Sequence, residues 1–249
     1  DCFCLRDRKK SLLVDFGTNN SRIEGHPRRE IFDVIISDLS TIKSKNLLLT
    51  HFHMDHLSGL LYMMKKKDIS VDFGKIYLPD VFSKKEMSRT LVLLLLADLL
   101  KESGLPSRQV SLFALVDALL ENKQNVELLS RGKLFENKYQ ALWPDTDVIR
   151  KETDEVYNRI CEDGKFKEVM DVLLEFAEKL RLIVWSMTAE GNKPAETVEK
   201  ETDLTASELT EQPEVRQKII RAYVYEREFR RIKALPDFKK LLAWLNENQ

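Results

Sequence analysis

The chain has 249 residues, 43% hydrophobic and 33% charged, with only 8 Gly and 7 Pro, which excludes a collagenous, low-complexity or disordered protein and suffices for one or two cored domains. Forty Lys+Arg stand against 41 Asp+Glu for a net charge of -1, so no bulk basic field draws nucleic acid or anionic membrane, and such binding requires a local patch. Three cysteines, Cys2, Cys4 and Cys161, are too few for a disulfide framework and point to a reduced, cytoplasmic setting.

Residues 2–5 (CFCL) and 11–16 (SLLVDF) are short, apolar, β-leaning runs separated by RDRKK, the pattern of two connected strands. Cys2 and Cys4 share one strand face and are read as small buried hydrophobic residues rather than ligands. Gly17, Asn19 and Asn20 mark a turn, after which Ile31, Val34, Ile35 and Leu39 recur at helical spacing. Residues 46–50 (NLLLT) read as a strand buried on both faces. Leu57, Leu60, Leu61 and Met64 then restore helical periodicity, and residues 75–78 (KIYL) form another strand stopped by Pro79. This alternation predicts a layered α/β fold with helices packed on a sheet.

From residue 83 long helices dominate: 83–101 and 107–122, divided by Gly104 and Pro106. The apolar run 91–100 is ten residues long and holds Asp98, well short of the roughly 20 needed to span a membrane. Short strands are expected at 126–129 and 139–143, then helices over 148–185, 213–234 and 236–246, interrupted by a Thr- and Glu-rich linker at about 189–212.

Histidine is scarce, at positions 26, 51, 53 and 56 alone. Three of the four fall in His51-Phe52-His53-Met54-Asp55-His56, on a turn from an apolar strand to an amphipathic helix. At a strand end residues two apart project to one side, so His51 and His53 converge on one ion, while Asp55 and His56 are placed to hold a second. Imidazole suits zinc, manganese and iron, and the carboxylate hardens the second site. Two such ions roughly 3.5–4 Å apart share a hydroxide that is nucleophilic at neutral pH. Thr50 and Ser58 flank the motif and are expected to cap or hydrogen-bond the turn.

HFHMDH resembles the HxHxDH motif of the metallo-β-lactamase fold, and the flanking LLLT and SGL fit that family's setting. LLVDFG is similar to the strand that ends in an Asp-Gly pair in these proteins, which implies that Asp15 lies beneath the metal-binding turn and orients it. DCFCL with LLVDFG, and YQALWP at 139–144, resemble the subgroup of the hydrolase domain of competence DNA-uptake channels. The resemblance implies a four-layer αβ/βα sandwich, present here in part. It implies His51 and His53 at a first metal and Asp55 and His56 at a second, with Asp55 also orienting the attacking water. Two zinc ions are implied for the full-length protein, with manganese as an alternative.

The resemblance covers about residues 1–145, with 83–125 read as a helical insertion and 146–249 as a mostly helical region. The family completes its sites with a downstream histidine, a bridging aspartate and a final histidine, and no histidine follows His56. Asp145 and Asp147 are the nearest acidic candidates for the bridge and read better as acids at a helix N-terminus. The chain opens on Asp1 rather than methionine, and we expect it to be a piece of a longer protein whose remaining ligands lie past Gln249.

Other candidates carry weaker signals. His26 with Arg28 and Arg29 reads as a solvated loop, and Lys65, Lys66 and Lys67 as cations at a helix C-terminus. Arg221, Arg227, Arg230 and Arg231, interleaved with Tyr223, Tyr225, Phe229 and two glutamates, read as a solvated face with an aromatic core side. The expected function is a metal-dependent hydrolase whose metal-bound hydroxide attacks a phosphodiester, in nucleic acid or a nucleotide, or a similar ester-like bond. The alternative is a non-catalytic protein that binds a protein partner through its helical region and carries an incomplete metal site.

Overall fold

A computed structural model of the chain describes residues 2–7, 10–66, 72–102, 112–121, 125–188 and 228–248. It is a layered, mixed α/β protein of two compact units, Asp1–Pro79 with Gln109–Leu129, and Asp80–Arg108 with Ser130–Gln249.

The first unit is built on a five-stranded sheet. Strands β1 (Phe3–Asp7) and β2 (Lys10–Val14) pair antiparallel, with Phe3 opposite Val14. A short ribbon, β3 (Arg22–Ile23) and β4 (His26–Pro27), leads into helix α1 (Arg28–Ser40). Then come β5 (Lys45–Leu48), α2 (Met54–Lys65) and β6 (Ile76–Pro79), and later α4 (Leu112–Glu121) and β7 (Val126–Leu129), numbered after α3 of the second unit. The sheet order is β1-β2-β5-β6-β7, parallel from β2 onward. Parallel neighbours require crossovers: α1 lies in that between β2 and β5, α2 in that between β5 and β6, and α3 and α4 in that between β6 and β7. α2 packs against α1 on one side and α4 on the other.

Register places Leu13, Leu47, Ile76 and Val126 in one row across four strands, all of them buried. Each contributes about 2 kcal/mol through removal from water. The strand expected at 46–50 to be buried on both faces instead alternates, with Leu47 and Leu49 buried and Asn46 and Leu48 half-buried, because only the face carrying this row is fully covered. On α1 the buried stripe is Phe32, Ile36 and Leu39, whereas Val34 is 61% exposed. The expected stripe through Ile31, Val34 and Ile35 is thus rotated, because Phe32 packs edge-on against Phe16 at 5.3 Å. Cys2 and Cys4 are exposed, against the expectation of burial. They share a face as predicted, but β1 is an edge strand whose Phe3 and Leu5 are exposed as well.

The second unit is mainly helical. Helix α3 (Ser88–Glu102) packs on α5 (Thr146–Cys161) and α6 (Lys167–Ser186), and α6 packs on α7 (Glu228–Ala234), which meets α8 (Phe238–Glu247). The two helices expected to form one insertion therefore belong to different units, α3 here and α4, packed on α2, in the first. The helix expected over 148–185 is broken into α5 and α6 at Gly164, whose φ of 66° belongs to the left-handed region that glycine adopts without penalty. The strand expected at 139–143 is a two-residue strand, β9 (Tyr139–Gln140), paired with β8 (Leu134–Phe135), while Leu142 and Trp143 are exposed beyond it. The linker at 189–212 and the helix start at 213–227 lie outside the described residues. No described helix is long and apolar enough to cross a membrane.

Arg181 on α6 is the charge that organises this unit. It is buried, pairs with Glu178 at 3.0 Å, and donates Nη1 to the carbonyls of Phe82 and Ser83 at 3.3 and 3.4 Å. Glu178 also accepts from Ser88 Oγ on α3. Removing one member of a buried pair leaves its partner uncompensated, so Arg181→Ala is expected to lower unfolding free energy by about 3 kcal/mol. Urea denaturation should show it, and a loss no greater than that of an exposed arginine such as Arg131→Ala would contradict this role.

Candidate metal centre

The site lies wholly in the first unit and begins with Asp15. At the end of β2 its N–H donates to Leu48 O at 2.8 Å, one step beyond the parallel ladder, and its φ of 54° turns the chain sharply. Aspartate tolerates this conformation better than most residues. Phe16 N–H then donates to His56 O at 2.7 Å, and Phe16 O accepts from Gly59 and Leu60 at 2.8 and 3.2 Å. A Cβ on Gly17 would lie 2.6–2.8 Å from backbone atoms of His56, Leu57 and Ser58, and one on Gly59 would lie 2.6 Å from the Phe16 ring. Two glycines thus allow the end of β2 to lie directly on the first turns of α2.

β5 ends at Leu48, and Leu49 N–H adds one further ladder bond to Tyr77 O at 2.9 Å. His51 and Phe52 form a bend, and His53 is extended as the residue preceding α2, with φ -77° and ψ 149°. The histidines converge through this bend rather than through strand alternation. The rings of His51 and His53 are 4.7 Å apart, edge to face, and those of His51 and His56 are 3.7 Å apart. Ligand atoms of His51, His53 and Asp55 all lie within 4.8 Å of one another. Asp55, paired with His56 in the expected second site, is therefore brought to the first two histidines as well.

Asp15, 3% exposed, ties the turn together from below. Its Oδ1 accepts from Thr50 N–H and its Oδ2 from Thr50 Oγ1, both at 2.8 Å. His56 Nδ1 lies 2.8 Å from the same Oδ2, the contact of an imidazole N–H with a carboxylate. Because Thr50 gives its only hydroxyl hydrogen to Asp15, it can only accept from His51 Nδ1, 3.0 Å away. Both rings then keep the lone pair on Nε2. His56 Nε2 lies 3.4 Å from Asp55 Oδ2. Two imidazoles and a carboxylate so placed suit a divalent metal ion.

Burial, followed by the neighbouring His56 and His53, pushes the His51 pKa below its ordinary value. That favours the neutral, ligating form.

Thr50 and Ser58 hydrogen-bond the turn, Thr50 to Asp15 and Ser58 to Thr18. The sequence reading missed Phe16 and Gly17 as the seat of the motif, although the D-F-G run carried the signal. Asp145 caps α5, accepting from Asp147 and Val148 N–H, and pairs with Arg131 at 2.9 Å, as befits a helix N-terminal acid. His26 is exposed beside Glu30. Lys66 pairs with Asp33 and sits over the Tyr62 ring. Of the basic and aromatic run from 221, Arg221, Tyr223, Tyr225 and Arg227 lie outside the described residues, and Arg231 pairs with Glu175 at 3.2 Å.

No family model matches the chain, and no solved structure matches it. The chain is similar to Endoribonuclease YSH1 of Mycosarcoma maydis, 32% identical over 77 residues, which are 31% of this chain and 8% of that protein. The chain thus spans a small part of that relative's length. The His-x-His-x-Asp spacing fits the metallo-β-lactamase fold, while nothing in the comparisons supports the competence DNA-uptake subgroup.

Gly17→Ala is expected to cost about 1–3 kcal/mol in unfolding by urea, since the new methyl meets backbone rather than a movable side chain. His51 is expected to titrate below 6.5 in NMR spectra, and His56→Gln to raise its midpoint by removing one of the two neighbouring imidazoles that oppose a charge on it. The unfolded chain takes up that proton near 6.5 and the folded chain resists it, so this group withdraws stability as pH falls through 6.5.

Proposed function

We propose that the chain carries the metal centre of a hydrolase that cleaves phosphodiester bonds, in nucleic acid or a nucleotide. The observation that carries this reading is the convergence of His51, His53 and Asp55 within 4.8 Å, above a buried carboxylate that orients His56. The similarity to an endoribonuclease supports the phosphodiester as substrate, and the three free cysteines suit a cytoplasmic protein.

In this reading His51, His53 and Asp55 hold the first zinc ion, and His56 extends the donor set toward a second, with manganese as the alternative. A divalent ion supplies, when bound, a nucleophile near neutral pH and positive charge for the phosphoryl oxygens. Asp55 orients the attacking water as the exposed carboxylate of the set. Asp15 acts through His56 and Thr50, fixing the tautomer and rotation of the ring. The lowered pKa of His51 keeps its imidazole neutral and ligating into mildly acidic solution.

The test is metal content by plasma mass spectrometry together with hydrolysis of a chromogenic phosphodiester and of single-stranded RNA. The purified full-length protein is expected to retain zinc or manganese, and His51→Ala and Asp55→Ala to lose it together with the activity. Asp15→Asn should weaken metal affinity about 10–100-fold. Hydrolysis that persists unchanged in metal-free protein or in His51→Ala sinks the proposal.

A further inference from the structure

The corner of the fold beside the metal turn carries arginines that pair with no carboxylate among the described residues. Thr18 N–H donates to Ser58 Oγ at 2.8 Å, and Ser58 Oγ donates back to Thr18 O at 2.9 Å. The same carbonyl accepts from Arg28 Nη1 at 3.0 Å. Ser58 lies two residues past His56 on α2, so this bond network pins a half-buried arginine to the wall of the metal turn. Arg22 stands on the same ribbon, opposite Pro27, and Arg28 N–H donates to Ser21 O at 2.9 Å.

Elsewhere in the described residues Arg89, Arg131, Arg181 and Arg231 each meet a carboxylate within 3.2 Å, whereas the exposed Arg6 and Arg159 meet none. Arg28 and Arg22 have no such partner among the described residues. The carbonyl of Thr18 occupies one of five guanidinium N–H groups and brings no negative charge. Helix stability does not account for Arg28 either, since a cation in the first turn opposes the helix dipole. Residues 16–23 (FGTNNSRI) contain no acidic residue, and of the two glutamates that follow, Glu24 sits at the exposed ribbon turn and Glu30 lies 3.4 Å from His26.

A planar fork of donors anchored through one N–H and paired with no carboxylate among the described residues matches a phosphate oxygen pair. We propose that Arg28, with Arg22 beside it, is a specificity-determining subsite that holds a backbone phosphate of single-stranded nucleic acid next to the metal turn. The inference rests on the hydrolase reading of that turn. It selects a polynucleotide over a mononucleotide or neutral ester, because a phosphate adjoining the scissile bond is what such a subsite engages.

The test is fluorescence anisotropy of a labelled single-stranded RNA ten-mer on the metal-stripped 249-residue chain, across a salt series. Arg28→Gln keeps an N–H for Thr18 O and removes the charge. It is expected to bind about tenfold more weakly, to reduce the slope of log affinity against log salt by about 0.7, and to melt at the same temperature. Arg28→Lys should recover part of the affinity, and Arg22→Gln, at an exposed position, should also lower the slope should Arg28→Gln prove unstable. Absence of binding by the unsubstituted chain, or equal affinity and slope in both glutamine variants, overturns the subsite. Metal-dependent cleavage with an unaltered KM in Arg28→Gln would remove the subsite and leave the hydrolase. Salt-dependent binding through Arg28 without cleavage under zinc or manganese would do the reverse.

Discussion

The metal turn depends on one close approach, that of the Phe16-Gly17 backbone to the first turns of α2. Phe16 exchanges hydrogen bonds with His56, Gly59 and Leu60, and no side chain larger than hydrogen fits at Gly17 or Gly59 without displacement. This contact sets the depth at which α2 begins, and with it the positions of Asp55 and His56. It also carries Asp15 beneath the turn, where a carboxylate at any greater distance would leave Thr50 and His56 unsatisfied.

A buried aspartate is costly unless its oxygens are used. Asp15 spends both on the turn, through Thr50 N–H, Thr50 Oγ1 and His56 Nδ1. The result is a chain of assigned protons: Thr50 gives to Asp15 and takes from His51, while His56 gives to Asp15. Each donation leaves a ring nitrogen available on the open side of the turn. The Thr18–Ser58 link joins Arg28 to the first turns of α2, two residues past His56.

The second unit solves a different problem, the burial of charge between helices. Arg181 and Glu178 sit in an otherwise apolar α3–α6 interface. They are compensated there by two backbone carbonyls and Ser88. That arrangement uses the carbonyls of an irregular segment, residues 82–83, as the remaining partners. Periodicity could not reveal it, because an arginine at a core-facing helical position reads as an ordinary solvated residue until the loop that meets it is known.

Much of this protein was legible in local sequence. The strand runs, the α2 stripe and the clustering of His51, His53, Asp55 and His56 on one strand-to-helix turn follow from residue type and spacing, because they involve neighbours within a few positions. Asp15 was legible as a residue beneath the turn only through resemblance, since 35 residues separate it from Thr50. What the tertiary structure alone decided is rotation and register: which face of α1 is buried, where one apparent helix breaks at Gly164, that β1 is an exposed edge, and that Asp55 joins the first histidine pair. Those outcomes rest on packing between segments far apart in the chain, such as Phe16 on Phe32 and Gly17 on Ser58, and no local pattern encodes which partner a residue will meet.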